Sequence, residues 1–328
     1  MRNGPARLAA IAAVVALVGA ACSGGGGSSA APATGGTGGT TPPAAGGTVN
    51  IAVNPWVGYT ASAAVVAYVL EEKMGYTVNL KDLKEDVSWQ GFESGEVDVI
   101  LEDWGHPELE KLYVTDKKVA MDGGLNGNLG IIGWYVPKFF ADAHPDILQD
   151  VKNLNNYADQ FKTSESGDKG QFLGTDPSYV QYDEALVENL GLNFEVIFTG
   201  SETATVQAIR QAVTQQKPLL FYWWDPHWLN SQPDIQLTRV PLPAYTEGCD
   251  ADPQAIACDY PETPLKKFIR TEFNNTGGDA ATMIKNWTWT NDDQNLVADY
   301  ITNQDMSPED AAKKWVDENQ AKWEAWVP

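Results

Sequence analysis

Leu219-Leu220-Phe221-Tyr222-Trp223-Trp224-Asp225-Pro226-His227-Trp228 is the stretch on which the reading of this chain turns. Entered from Lys217-Pro218, its apolar run predicts a buried strand. The residue before a proline is pushed out of helix, and regular pairing is lost soon after, so the strand should end at Asp225-Pro226. Three Trp, a Tyr and a His therefore collect at the carboxyl end of a strand, the place where open α/β sheets hold ligands. A single Trp there reads equally well as core or domain-seam packing. The cluster as a whole reads as a binding wall.

Working outward, the stretch closes a repeated order of elements. Residues 171–174 predict a strand, 183–190 a helix stopped by Gly191, 194–198 a strand, and 205–215 an amphipathic helix with Val206, Ile209, Ala212 and Val213 on one face. The same order stands earlier. Residues 48–53 read as a strand, 54–59 as a turn, 61–74 as a helix capped by Gly75, 76–80 as a strand, 89–94 as a short helix ended by Gly95, and 97–101 as a strand. Strand, helix, strand, helix, strand is the pattern of a parallel sheet. Each unit finishes its third strand in a Trp followed by a proline: Trp104 then Pro107, Trp224 then Pro226. Two similar α/β lobes are expected, with strand ends facing each other across a cleft. Residues 128–136 should cross from lobe I (48–134 plus 235–328) to lobe II (135–234), and residues 235–242 should cross back. The last third reads as helical. Ser307-Pro308-Glu309-Asp310 starts a helix there, and Trp315, Trp323 and Trp326 fall at core-packing spacing.

The chain has 328 residues, 22 Lys plus Arg against 44 Asp plus Glu, and a net charge of −22. Two lobes of ordinary size fit that length. Such a surface repels nucleic acid and anionic lipid heads and favours cations. Residues 1–21 read as a signal peptide, with Arg2 and Arg7 ahead of an apolar run too short for a confident membrane span. Gly19-Ala20-Ala21-Cys22 resembles a bacterial lipobox, with Gly19 where its usual Leu stands. That resemblance implies lipidation of Cys22 and an extracytoplasmic, membrane-anchored location; plain secretion after cleavage near Ala21 is the alternative. Residues 22–47 are Gly, Ser, Ala, Thr and Pro almost throughout, a flexible tether. Cys249 and Cys258, a close pair in a Pro- and Asp-rich loop, predict a disulfide in an oxidising compartment.

Motifs of catalysis and phosphate binding are absent: no G-x-S-x-G, no H-E-x-x-H, no P-loop, and no G-x-G-x-x-G placed after a strand. No cofactor and no metal are expected. Asp103, His106 and Glu108 read as a solvated turn, since a closed metal site needs three or four converging ligands. What remains is aromatic. Trp104, Trp224, Tyr179 and Trp56 fall in loops at strand ends. A quaternary ammonium has no N–H to donate, so aromatic faces are what can hold it. His227 and the amides of the first strand-to-helix loop could take a carboxylate. The set suits a small zwitterionic or cationic ligand.

At these residues the chain resembles the substrate-binding proteins of glycine betaine/proline betaine ABC transporters. The matching pieces are residues 69–78, Gly95-Glu96-Val97-Asp98-Val99 with Glu102-Asp103-Trp104, Trp224-Asp225-Pro226-His227-Trp228, and Ala311-Ala312-Lys313-Lys314-Trp315-Val316 with the final Trp. The resemblance implies a two-lobed, type II periplasmic-binding-protein-like α/β fold that closes on its ligand and delivers it to a transporter permease. It also implies a cage on Trp104 and Trp224, with His227 on the ligand's carboxylate. Where the family commonly has Gly and Trp, this chain has Asp176-Pro177-Ser178-Tyr179-Val180-Gln181-Tyr182, so Tyr179 or Tyr182 would form the third wall. Two rival readings stand beside it. One is a receptor for choline, carnitine, ectoine or a sulfonate. The other is a secreted sugar-binding or hydrolytic protein, for which Glu102, Asp103 and Asp225 would be the acids to consider.

Overall fold

A computed structural model describes residues 46–328. The expectations for the leader, for Cys22 and for all but the last two residues of the tether fall outside them. Among the described residues no helix is long and apolar enough to cross a membrane.

The first unit runs β1 (Thr48–Val53), α1 (Val57–Tyr68), β2 (Thr77–Asp82), α2 (Glu85–Ser94), β3 (Val99–Asp103). β1 lies between β2 and β3, parallel to both. Short α3 (Pro107–Glu110) leads to β4 (Ala120–Pro137) and then α4 (Lys138–Ala143). The second unit repeats the first: β5 (Gly170–Gly174), α5 (Asp183–Asn189), β6 (Phe194–Phe198), α6 (Glu202–Gln215), β7 (Leu220–Asp225). Here β5 lies between β6 and β7, again parallel to both. β8 (Leu237–Val240) and β9 (Glu262–Arg270) follow, then α7 (Thr271–Thr276), α8 (Gly278–Asn286), α9 (Asn291–Thr302), α10 (Pro308–Glu318) and α11 (Gln320–Glu324).

One sheet joins the two units in the order β2-β1-β3-β9-β4-β7-β5-β6, with β8 also on β4. The 18-residue β4 is the bridge: residues 120–131 pair with β9, and residues 131–135 pair with β7. The third strand of the second unit, β7, lies beside this bridge, and that of the first, β3, is separated from it by β9 alone. β8 pairs with residues 134–137 of β4, so residues 237–240 stay with the second unit. The return connection comes later, between β8 and β9, and it holds the bonded pair Cys249–Cys258, Cα atoms 6.3 Å apart.

Several expectations need correction. The expected turn at 54–59 is shorter: Trp56 is extended, and α1 opens directly at Val57. α2 starts at Glu85 rather than 89. The last third is not all helix, because β9 runs through it with its polar residues disguising the strand. Lys267 in β9 is fully buried and donates to the backbone carbonyls of Ile284, Lys285 and Trp287, capping the end of α8. Trp315 and Trp326 are buried and stacked, centroids 5.7 Å apart.

Candidate functional site: an aromatic box beside the bridging strand

Because β1 and β3 are parallel neighbours, their carboxyl ends lie together, and each releases a Trp there. Trp56 follows β1 and Trp104 follows β3 directly. One carboxylate fixes both rings. Glu102 Oε1 accepts the indole N–H of Trp56 at 3.0 Å and of Trp104 at 2.9 Å. Its Oε2 accepts Gln294 Nε2 at 2.8 Å and Ser62 Oγ at 3.3 Å. Burial raises the pKa of the Glu102 carboxyl, and these four donors oppose that rise.

The facing wall comes from β7 and the loop after β5. Strand alternation puts Tyr222 and Trp224 on one face. Trp223 takes the opposite face, where its indole N–H donates to Asn230 Oδ1 at 2.8 Å. Tyr179 stands in a loop that Asp176 folds back on itself, its Oδ1 accepting from Ser178 N at 2.8 Å and Ser178 Oγ at 2.7 Å. The Tyr179 ring lies 5.3 Å from Trp56 and 5.7 Å from Trp224, nearly perpendicular to each. Its hydroxyl donates to Pro55 O at 2.6 Å, across the cleft. Ile132 of β4, paired in register with Trp224, forms the floor. At Gly130, two residues before it, a Cβ would lie 2.7 Å from the Trp104 ring, so glycine lets that ring sit down on the strand.

These side chains, with Val180 and Glu85, line one small cavity. All four of its principal rings are buried. Trp56, Trp104, Tyr179 and Trp224, each expected from sequence, line this one cavity. Tyr182, the other candidate for the third wall, stacks instead on Tyr260, centroids 4.9 Å apart.

His227 lies behind the box, its ring 4.2 Å from Trp223 and 4.9 Å from Trp224. Nδ1 accepts from Leu229 N at 3.0 Å, so Nε2 carries the proton and donates to Glu202 Oε1 at 2.6 Å. Both ring nitrogens are taken. In the structure the carboxylate on His227 is that of Glu202, at the nitrogen the sequence reading gave to a ligand carboxylate. Glu202 Oε2 in turn accepts Val57 N, the first amide of α1, at 2.8 Å.

A second polar group borders the cavity. Glu85, at the start of α2, is 5 % exposed, and its Oε2 has no hydrogen-bond partner among the described residues. His106 Nε2 is 3.6 Å from it, and His106 Nδ1 is 2.7 Å from Asp103 Oδ1. Burial alone would lower the His106 pKa, but the two carboxylates overcome it and push it up to about 10. Burial also raises the Glu85 pKa, with His106 as the main opposing influence. The other acids weighed from sequence are engaged elsewhere: Asp225 accepts from Asn230 and Asn291.

Tyr222 was read only as part of the strand-end cluster, and three members of this neighbourhood escaped the sequence reading: Glu102 in its role as holder of the indoles, Glu85 and Glu202. Tyr222 had a signal, since it shares a strand face with Trp224. Glu85 and Glu202 each open a helix, where an acid is ordinary and marks nothing.

Comparison with known proteins agrees with this geometry. Residues 47–318 match the family described as the substrate binding domain of ABC-type glycine betaine transport systems. The trimethylamine N-oxide-binding protein of Pelagibacter ubique is 26 % identical over 284 residues, covering 83 % of this chain and 88 % of that protein. Lactococcal OpuAC, in its closed form with glycine betaine, aligns with TM-score 0.67 and 21 % identity over 86 % of this chain and 99 % of that one. An ABC-transporter choline-binding protein with choline aligns with TM-score 0.68 and 20 % identity, over 85 % and 91 % of the two chains. The structural likenesses establish the two-lobed periplasmic-binding-protein fold. With the family match spanning most of the sequence, the chain belongs to the substrate-binding domains of ABC-type glycine betaine transport systems.

Proposed function

We propose that this protein is an extracytoplasmic receptor that captures a quaternary ammonium compound, glycine betaine or a relative, in the box of Trp56, Trp104, Tyr179 and Trp224, and delivers it to an ABC importer. The observation that carries this reading is the box itself: indoles from one lobe and a Tyr–Trp pair from the other, with near-perpendicular rings around one small cavity. Methylated ammonium groups present no donors, and converging ring faces are the complementary surface. A net charge of −22 favours the approach of cations. The relatives that bind trimethylamine N-oxide, glycine betaine and choline support the same ligand chemistry. We place the lobe boundary on β4 and on the connection between β8 and β9. We also propose that Cys22 carries the lipid anchor; a Cys22→Ala variant that remains membrane-bound after fractionation would argue against it.

Each desolvated cation–ring contact is worth about 2 kcal/mol at best, and tenfold in affinity corresponds to about 1.4 kcal/mol. Trp224→Ala or Trp104→Ala should therefore weaken binding roughly ten- to thirtyfold in calorimetric titration, with Trp224→Phe retaining more. Parent-level binding by both alanine variants would show that the cage lies elsewhere.

A further inference from the structure

We propose that the box takes a trimethylammonium compound without a carboxylate, whose single oxygen-bearing group is hydrogen-bonded to Glu85. The proposal rests on the cage reading above and narrows its cargo from betaines to amino alcohols or amine oxides.

The first ground is that the seat for a carboxylate is already filled. The sequence offers two kinds of donor for one, His227 and the amides that open α1. In the structure Glu202 takes His227 Nε2 at 2.6 Å and Val57 N at 2.8 Å. α1 has no acid of its own in its first turn, and Glu202 supplies the negative charge that the helix start favours. A ligand carboxylate brought to this place would meet a buried carboxylate, 8 % exposed, and like charges at such range repel strongly.

The second ground is a count of donors around the cavity. Trp56 and Trp104 give their N–H groups to Glu102. Tyr179 gives its hydroxyl to Pro55 O, and Tyr222 gives its own to Val180 O at 2.9 Å. Among the lining side chains that leaves the Trp224 indole. A desolvated carboxylate needs two or three donors to offset its lost water.

The third ground is Glu85. It borders the cavity, is 5 % exposed, and its Oε2 has no hydrogen-bond partner among the described residues; His106 Nε2 is 3.6 Å from that oxygen. A buried carboxyl oxygen without a partner is costly. A small ligand in the box can supply that partner. An ionised Glu85 accepts from a hydroxyl, and a protonated one donates to an amine-oxide oxygen. Either contact suits one oxygen on a short stem, and an ionised Glu85 repels a second carboxylate.

The test is calorimetric competition on the parent protein with choline, trimethylamine N-oxide, glycine betaine and tetramethylammonium. Choline or the N-oxide should bind at least tenfold tighter than glycine betaine. Tetramethylammonium, with neither oxygen nor carboxylate, reads the cage alone. Glu85→Ala should weaken the preferred ligand tenfold or more and tetramethylammonium distinctly less. Glu85→Gln, whose amide both donates and accepts, separates the two sources. A hydroxyl cargo loses its charge-assisted bond and falls about tenfold, whereas an N-oxide cargo stays within about threefold; either result supports the Glu85 contact. A parent that binds glycine betaine as tightly as the best of the others overturns the proposal and leaves the cage standing. So does a Glu85→Ala variant that loses tetramethylammonium as much as the preferred ligand. Failure of all four to bind overturns the proposal and the cage reading together.

Discussion

Glu102 shows how much of an aromatic site depends on a residue that is not aromatic. Trp56 and Trp104 come from different loops, and nothing in their own backbones fixes their ring angles. A single buried carboxylate, 1 % exposed, holds both through Oε1 while Gln294 and Ser62 hold Oε2. Glu102→Ala would leave four donors without their acceptor. A cost of roughly 2–4 kcal/mol follows from buried donors left unpaired, read as a lower urea midpoint. Ligand affinity should fall at least tenfold in the fraction that stays folded, because the indoles lose their common anchor. Unchanged affinity would show that ring packing alone orients them. At this scale the sequence was legible where residue type carries the chemistry. Trp, Tyr and a strand end announce themselves. Glu85 and Glu202 did not, because their importance comes from what faces them after two distant loops meet.

At the scale of elements, three starts and ends converge on a titratable trio. Glu85 opens α2, Asp103 ends β3, and His106 stands just before α3. Their side chains put an imidazole between two carboxylates, with its pKa pushed up to about 10 from an ordinary 6.5. A histidine whose folded pKa is raised contributes stability that is fully present below pH 6.5 and is lost as pH rises toward 10. Lys267 acts with the opposite sign. Burial lowers its pKa to about 8, so its contribution makes the fold more stable as pH climbs from there toward 10.5. The difference between the parent and a His106→Gln variant removes the Lys267 contribution. That difference should be largest near pH 6 and shrink steadily up to pH 10, measured as urea stability. A difference independent of pH would mean that His106 is neutral and acts by shape. Element ends were legible where glycine marks them: Gly95 and Gly191 end their helices at φ 78° and 69°, as read. β9 was not legible, because Lys266, Lys267 and Arg270 look solvent-facing. Lys267 finds three carbonyls at the end of α8, a partner set that only the tertiary fold supplies. The doubled strand–helix order was legible because it repeats, whereas the path back from lobe II was not. Residues 235–242 read as a crossing, yet β8 adds to the lobe II end of β4, a pairing between segments about a hundred residues apart.

For the molecule as a whole, the closed arrangement is held by bonds that cross the cleft without passing through a ligand. Tyr179 donates to Pro55 O at 2.6 Å, Val57 N donates to Glu202 at 2.8 Å, and Lys84 Nζ lies 3.8 Å from Asp176. Such bonds shift the balance between open and closed forms, and a ligand that binds the closed form gains whatever they contribute. Tyr179→Phe separates this role from that of the wall, since it keeps the ring and deletes the hydroxyl. One hydrogen bond is worth about 1 kcal/mol net, or roughly fivefold in affinity. The variant should therefore bind choline, glycine betaine and tetramethylammonium each about fivefold more weakly than the parent. Small-angle scattering should show less compaction at a subsaturating ligand concentration, and the same compaction at saturation. Equal losses are the decisive feature, because a bond between the lobes cannot distinguish what lies in the box. If only the oxygen-bearing ligands weaken, the Tyr179 hydroxyl leaves Pro55 to serve the ligand, and closure is driven from the box rather than from the clasp beside it.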